Sequence, residues 1–251
     1  MALHQSNEAD RSSAMSQWSE DSGLRAFMLG VYGKLSLGLM LAGAVAWAVA
    51  SVPQLSQLMF RTVGGQLTGY TPMGLAVVIA PLALLFISAF AIRQPTARGS
   101  GLLYWSVVAL IGASLGALFL VYVGGSIAVS FLITAAAFGA LSLWGYVTHR
   151  NLTGLGSFLV MGVAGLVIAM IVNFFVRSSA LYFLVDVAGV LIFAGLIAYD
   201  TQRLKRLYQE AAENQASLAT ATNFGALTLF INFVNLFQFL LSLTGQRRRR
   251  L

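Results

Sequence analysis

Residues 157–176 read SFLVMGVAGLVIAMIVNFFV, twenty residues without one charge. A helix that crosses a bilayer needs about 20 largely apolar residues. A strand of an outer-membrane barrel would instead alternate apolar and polar positions over roughly ten. This segment is apolar on every face for twice that length, so it reads as a membrane-spanning helix. Six further runs share its character, at 28–51, 74–92, 102–123, 127–147, 180–199 and 221–243. The predicted fold class is all-α, a polytopic membrane protein of seven transmembrane helices.

Composition supports this. The chain has 251 residues, 58% hydrophobic and 9% charged, whereas a soluble domain carries roughly 25% charged residues to cover its surface. A net charge of +7 would point to nucleic acid in a soluble protein. Here the basic residues lie in the breaks between apolar runs, where they set topology and meet lipid headgroups. The lipid bilayer is the expected partner, and nucleic acid is not. The absence of cysteine excludes disulfides, thiolate metal sites and cysteine nucleophiles.

Residues 1–23 are polar and of mixed charge, and they read as a disordered tail. Residues 24–245 form one membrane domain, and 246–251, QRRRRL, a basic tail. The linker after the first span holds Pro53, Arg61, Gly64, Gly65 and Pro72. Within it Leu55, Leu58, Met59 and Phe60 suit a short piece lying in the interface. Gly112 and Gly116 are spaced for close backbone packing of the third span.

Seven spans put the two ends on opposite sides. The amino-terminal side gathers Arg11, Arg25, Lys34, Arg93, Arg98, Arg150, Arg203, Lys205 and Arg206. The other side has Arg61, Arg177 and the four tail arginines. The repeated bias of the loops predicts a cytoplasmic amino terminus. The tail alone argues otherwise, and a six-span form with a re-entrant last segment would satisfy it.

Ionisable groups inside a membrane are costly, so each is a functional candidate. Asp186 lies within the sixth span, Asp200 ends it and Arg93 ends the second. Asn173 sits in the fifth span, and Asn232, Asn235 and Gln238 in the seventh. Asp200 either serves a buried role or N-caps a helix beginning at Thr201. Arg93 either anchors to headgroups or pairs with a carboxylate. Asn235 and Gln238 suit interhelical hydrogen bonding. Asp186 and Asp200 are fourteen residues apart, roughly 21 Å along a helix, so they cannot share a site. Asp186 suits a polar cavity near the opposite mouth, with Asn173, Asn235 and Gln238 as further lining candidates.

Catalysis is not expected. A serine protease would need a histidine in a span, but His4 and His149 lie outside them. Two aspartates for an aspartyl protease would have to come from different helices, and both membrane aspartates share one. No cluster has metal-ligand spacing, and no cofactor is expected.

The stretches GALSLWGYVTHRNLTGLGSFLVMGVAGLVIAMIVNFF, GVLIFAGLIAYDTQRLKRLY and FGALTLFINFVNLFQFLLSLTG resemble the Bax inhibitor-1 family in its bacterial branch. The AYDTQ segment at 198–202 and the NLF segment at 235–237, in that order, are its most specific marks. The resemblance covers roughly 24–245. It implies six helices around a central seventh, a bacterial inner (plasma) membrane location, and a pH-sensitive calcium leak.

In that family the sensor is a pair of aspartates, one ending the sixth span and one in the seventh, with an arginine from the end of the second able to latch onto them. Asp200 and Arg93 match two of these, and Asp200 is thereby the candidate for contact with calcium. The seventh span usually reads like LYLDFINLF, whereas this chain has LFINFVNLF, so Asn232 replaces the second aspartate. Two close carboxylates titrate as a coupled pair, and an amide cannot join one. The expectation is therefore weakened pH gating. Relatives are also linked to a second role, regulation of a membrane-bound quality-control protease or another membrane protein.

Overall fold

The computed structural model describes residues 2–63, 66–91, 95–212 and 214–248, with side chains from Ser22 onward. Its elements in chain order are α1 (Ala2–Ser51), α2 (Pro53–Met59), β1 (Phe60–Val63), β2 (Gln66–Tyr70), α3 (Pro72–Ala91), α4 (Ala97–Val121), α5 (Gly124–Val147), α6 (Thr153–Val176), α7 (Ser179–Ala211) and α8 (Gln215–Thr244). Seven of these helices are long and apolar enough to cross a membrane, the span of α1 being Ser22–Ser51. The protein is an integral membrane protein.

The stretch that precedes the first span continues the helix of that span from Ala2. No proline or glycine interrupts it before Gly23, and extending an existing helix costs far less than nucleating one. Two expectations about continuity are corrected. The helix of the sixth span does not stop at Asp200, because α7 runs on to Ala211. A charged residue in an apolar run does not mark the end of its helix. The six-span alternative also fails. α8 is unbroken for 30 residues, and the chain after it joins the α4–α5 turn through Val123 N–H to Gln246 O at 3.0 Å and Arg248 N–H to Val121 O at 2.9 Å.

The linker after α1 is more ordered than an interfacial piece. α2 leads into an antiparallel hairpin pairing Phe60 with Tyr70 and Val63 with Gln66. Met59 and Phe60 are buried with Val49 and Ala117, while Leu55 and Leu58 stay exposed. Gly112 and Gly116 serve packing: a Cβ at Gly112 would lie 2.8 Å from the Ala42 backbone, and one at Gly116 3.2 Å from Ala46 O.

α8 is the centre of the bundle. It packs against α1, α4, α5 and α7, and 61% of its apolar window is buried, against 11–33% for the other six spans. α3 and α6, each 11% buried, are outer helices resting on α4 and α7. Leu227, Leu229, Phe230, Phe233, Leu236 and Leu241 carry the core of α8.

Candidate functional site

The AYDTQ segment is about one turn and a half of α7, and all of it but the Asp200 side chain is committed to α5, α6 or their connection. A Cβ on Gly145 would lie 2.3 Å from Ala198 O, so α5 and α7 touch backbone to backbone there. The Tyr199 ring lies against Gly156 in the same way. The Thr201 hydroxyl pairs with that of Ser142 at 3.0 Å, and Ser142 in turn with Tyr32. Gln202 donates to Arg150 O at 2.8 Å and accepts from Leu152 N–H at 2.9 Å. Lys205 and Arg206 continue the clamp, on Tyr146 O and Thr153 Oγ1. This end of α7 is therefore bolted to the α5–α6 connection.

What the bolting leaves free is the Asp200 side chain, turned toward α8. Asp200 is 7% exposed and Asn232 5%, and Asn232 Nδ2 donates to Asp200 Oδ2 at 2.7 Å. Asp200 is buried within a helix, so the N-capping reading falls. Arg203, one turn on, brings NH1 to 3.8 Å from Oδ1, but its side chain is 58% exposed, and solvent screens such a contact heavily. A cleft of about 270 Å³ with Arg203, Leu204, Phe224, Gly225 and Thr228 among its lining residues reaches Asp200. Arg93, expected to latch onto Asp200, lies outside the described residues. Arg203 was missed because Asp200 was read as a helix end. Read as mid-helix, its i+3 neighbour is an obvious partner.

The opposite end of α7 holds Asp186, 5% exposed. Ser242 Oγ donates to its Oδ2 at 2.5 Å, and the Tyr182 hydroxyl lies 2.9 Å from the same Ser242. Asp186, Asn173, Asn235 and Gln238 all line one vestibule of about 660 Å³, with Arg177, Tyr182 and Ser242. A smaller hollow of about 310 Å³ shares Leu118, Asn235 and Gln238 with it. Asn173 also shapes the rim: its Oδ1 accepts from Ser178 N–H at 3.0 Å beside Arg177, whose φ of 54° ends α6. Asn235 and Gln238 are not interhelical ties. Asn235 donates to Ile231 O of its own helix at 2.8 Å, and Gln238 is exposed to the vestibule. Arg247 lies 6.0 Å from the ring centres of Tyr122 and Tyr182. The hydroxyls of Ser242 and Tyr182 were not singled out from sequence, because such residues are common in spans and carry no charge to flag them.

Between the two carboxylates the interface is apolar. α7 presents Gly189, Phe193, Leu196 and Ile197, all buried. Phe239 of α8 lies on Gly189 and stacks on Phe193 at 5.8 Å. Among the described residues no group of three or more His, Cys, Asp or Glu side chains could hold a metal ion. One carboxylate and one amide also supply fewer oxygens than a resident calcium, which takes roughly six to eight. This donor set suits a calcium ion in passage and not a resident one.

These features define the class: a seven-span α-helical membrane protein with a central seventh helix and a polar site at each end of one helix pair. The chain belongs to the Bax inhibitor-1 family, since the family profile described as "Inhibitor of apoptosis-promoting Bax1" matches residues 24–249. It is 57% identical over 230 residues to an uncharacterized protein of Caulobacter vibrioides, covering 92% of each chain. It is 40% identical over 228 residues to the uncharacterized protein RP147 of Rickettsia prowazekii, covering 91% of this chain and 92% of that one. It is 38% identical over 228 residues to the inner membrane protein YbhL of Escherichia coli K12, covering 90% and 94%.

Proposed function

We propose that this protein is a passive, regulated cation pathway, with calcium the candidate ion, and not an enzyme. One observation carries the reading. Two buried carboxylates stand on nearly one face of α7, each hydrogen-bonded to the central helix and each reached by a cleft from its own side. Ionisable groups at membrane depth are expensive and are kept where ions or protons pass. The apolar stretch of Gly189, Phe193, Leu196, Ile197 and Phe239 makes this conformation the closed one. Opening requires α8 to move against α7, which breaks the Asp200–Asn232 bond. Arg203, and Arg93 by the family resemblance, are the cations that bias that bond.

Because Asn232 cannot titrate, protonation at the gate involves one carboxylate instead of a coupled pair, and pH gating is correspondingly weak. The amino terminus is assigned to the cytoplasm from the loop charges. The bacterial inner membrane is assigned because YbhL carries that description. The test is calcium uptake by liposomes that contain only this purified chain and a trapped calcium dye. Uptake above that of protein-free liposomes is expected. Uptake equal to the protein-free control would overturn the reading and favour regulation of a membrane protease or another membrane protein.

A further inference from the structure

A second polar feature of the bundle takes no part in the α7–α8 pathway. A groove of about 650 Å³ lies where the starts of α4 and α8 meet α1, and Lys34, Arg98, Leu102, Trp105, Thr222 and Asn223 are among its lining residues. We propose that this groove binds the phosphate of an anionic phospholipid headgroup.

The first argument is charge. Lys34 is a half-buried ammonium inside the first span, and its described partners are neutral. Its Nζ donates to Asn223 Oδ1 and lies 5.8 Å from the centre of the Tyr104 ring. Arg98, in the first turn of α4, borders the same groove. No acidic residue lines the groove, and among the described residues neither cation has a carboxylate within ion-pair reach. A cation within a span whose described neighbours carry no counter-charge is stabilised by an anion from outside. The amino-terminal end of α4 adds positive potential at the same place.

The second argument is construction. Asn223 is 4% exposed and cannot swing away, because its Nδ2 donates to Ala97 O at 3.0 Å and to Ser100 Oγ at 2.8 Å. Its Oδ1 is thereby aimed at Lys34 and holds the ammonium at the groove. Tyr104 fixes the helix beneath by donating to Lys34 O at 2.7 Å.

A lipid fits this groove better than a soluble phosphate does. The groove begins beside the first turn of α4 and continues onto Leu102, which is 70% exposed on the outside of the bundle, and Trp105. A phosphate between Lys34 and Arg98 would lay its acyl chain along that apolar wall. Basic pockets between transmembrane helices take anionic headgroups in this manner. The inference does not rest on the cation-pathway reading.

The experiment is native mass spectrometry of the full chain in detergent micelles, titrated with phosphatidylglycerol, phosphatidylcholine or inorganic phosphate. One saturable phosphatidylglycerol is expected, bound more tightly than phosphatidylcholine. Lys34→Gln and Arg98→Gln should each weaken it about fivefold, and the double variant about 25-fold. Lys34→Arg, which keeps the charge, should bind as the parent does. Lys34→Gln should keep the parent's helical circular-dichroism spectrum and thermal midpoint, so its loss of lipid is not misfolding. Arg150→Gln removes a charge from an exposed position at the same membrane face, outside the groove, and should change nothing. An equal loss in Arg150→Gln, equal binding of phosphatidylcholine, or displacement of the lipid by inorganic phosphate at matched concentration would each overturn the proposal.

Discussion

The two ends of the α7–α8 pair each hold one buried carboxylate and treat it in opposite ways. At Asp200 the helices are locked: α5 meets α7 backbone to backbone at Gly145 and Ala198, and the cleft is small. At Asp186 the contacts are made by side chains. The Phe239 ring fills the space over Gly189, hydroxyls supply the hydrogen bonds, and a vestibule more than twice as large stands beside them. α7 is thus locked onto α5 at one end and padded by side chains against α8 at the other. The carboxylate at the locked end depends on its single amide partner on α8, and the one at the padded end can exchange its partner for water.

The glycines give this contrast its largest test. Gly145→Ala places a methyl 2.3 Å from Ala198 O, where only backbone can yield, and should cost about 3 kcal/mol. Gly189→Ala meets the Phe239 ring at 2.7 Å, and a ring can tilt, so about half that loss is expected. Unfolding of the purified variants, followed by size exclusion after heating, reads both. Equal losses would remove the distinction between a locked and a padded end.

A smaller difference separates the hydrogen-bond partners. Asn232→Leu leaves Asp200 buried without its donor and should destabilise by about 1–3 kcal/mol. Ser242→Ala should cost about 1 kcal/mol or less, because water in the vestibule can take over the bond to Asp186. If Ser242→Ala proved the more damaging in the same heating assay, the vestibule would be dry and its role as a mouth would fail.

How much of this was legible follows from what each residue signals. The seven spans were readable, because twenty apolar residues have one use and the structure places a long helix at each run. A helix from Thr201 was readable too, but its continuity with the sixth span was not, since Asp200 and the charges after it look like the end of a helix. Thr201, Gln202 and Lys205 sit in an unbroken helix because their polar atoms are met by α5 and the α5–α6 connection. The β1–β2 hairpin was hidden in a linker read only as holding a short piece at the membrane interface. In the site, Asp200 and Asn232 were named together from the family resemblance, and hydrogen-bond at 2.7 Å. Asp186 was noticed for its charge, but its Ser242 and Tyr182 partners carry none, and only the fold brings them near it.

The central claim is that the gate at Asp200 works with one titratable carboxylate because Asn232 holds the second position. Calcium flux into proteoliposomes, measured at about pH 6 and about pH 8 for the parent chain, Asn232→Asp and Asp200→Asn side by side, tests it most directly. The account predicts that the parent conducts with little change between the two pH values, that Asn232→Asp acquires a clear pH-dependent step, and that Asp200→Asn shifts the parent's flux little across the window. A steep response of the parent that survives in Asp200→Asn would contradict it and move the sensor to Asp186.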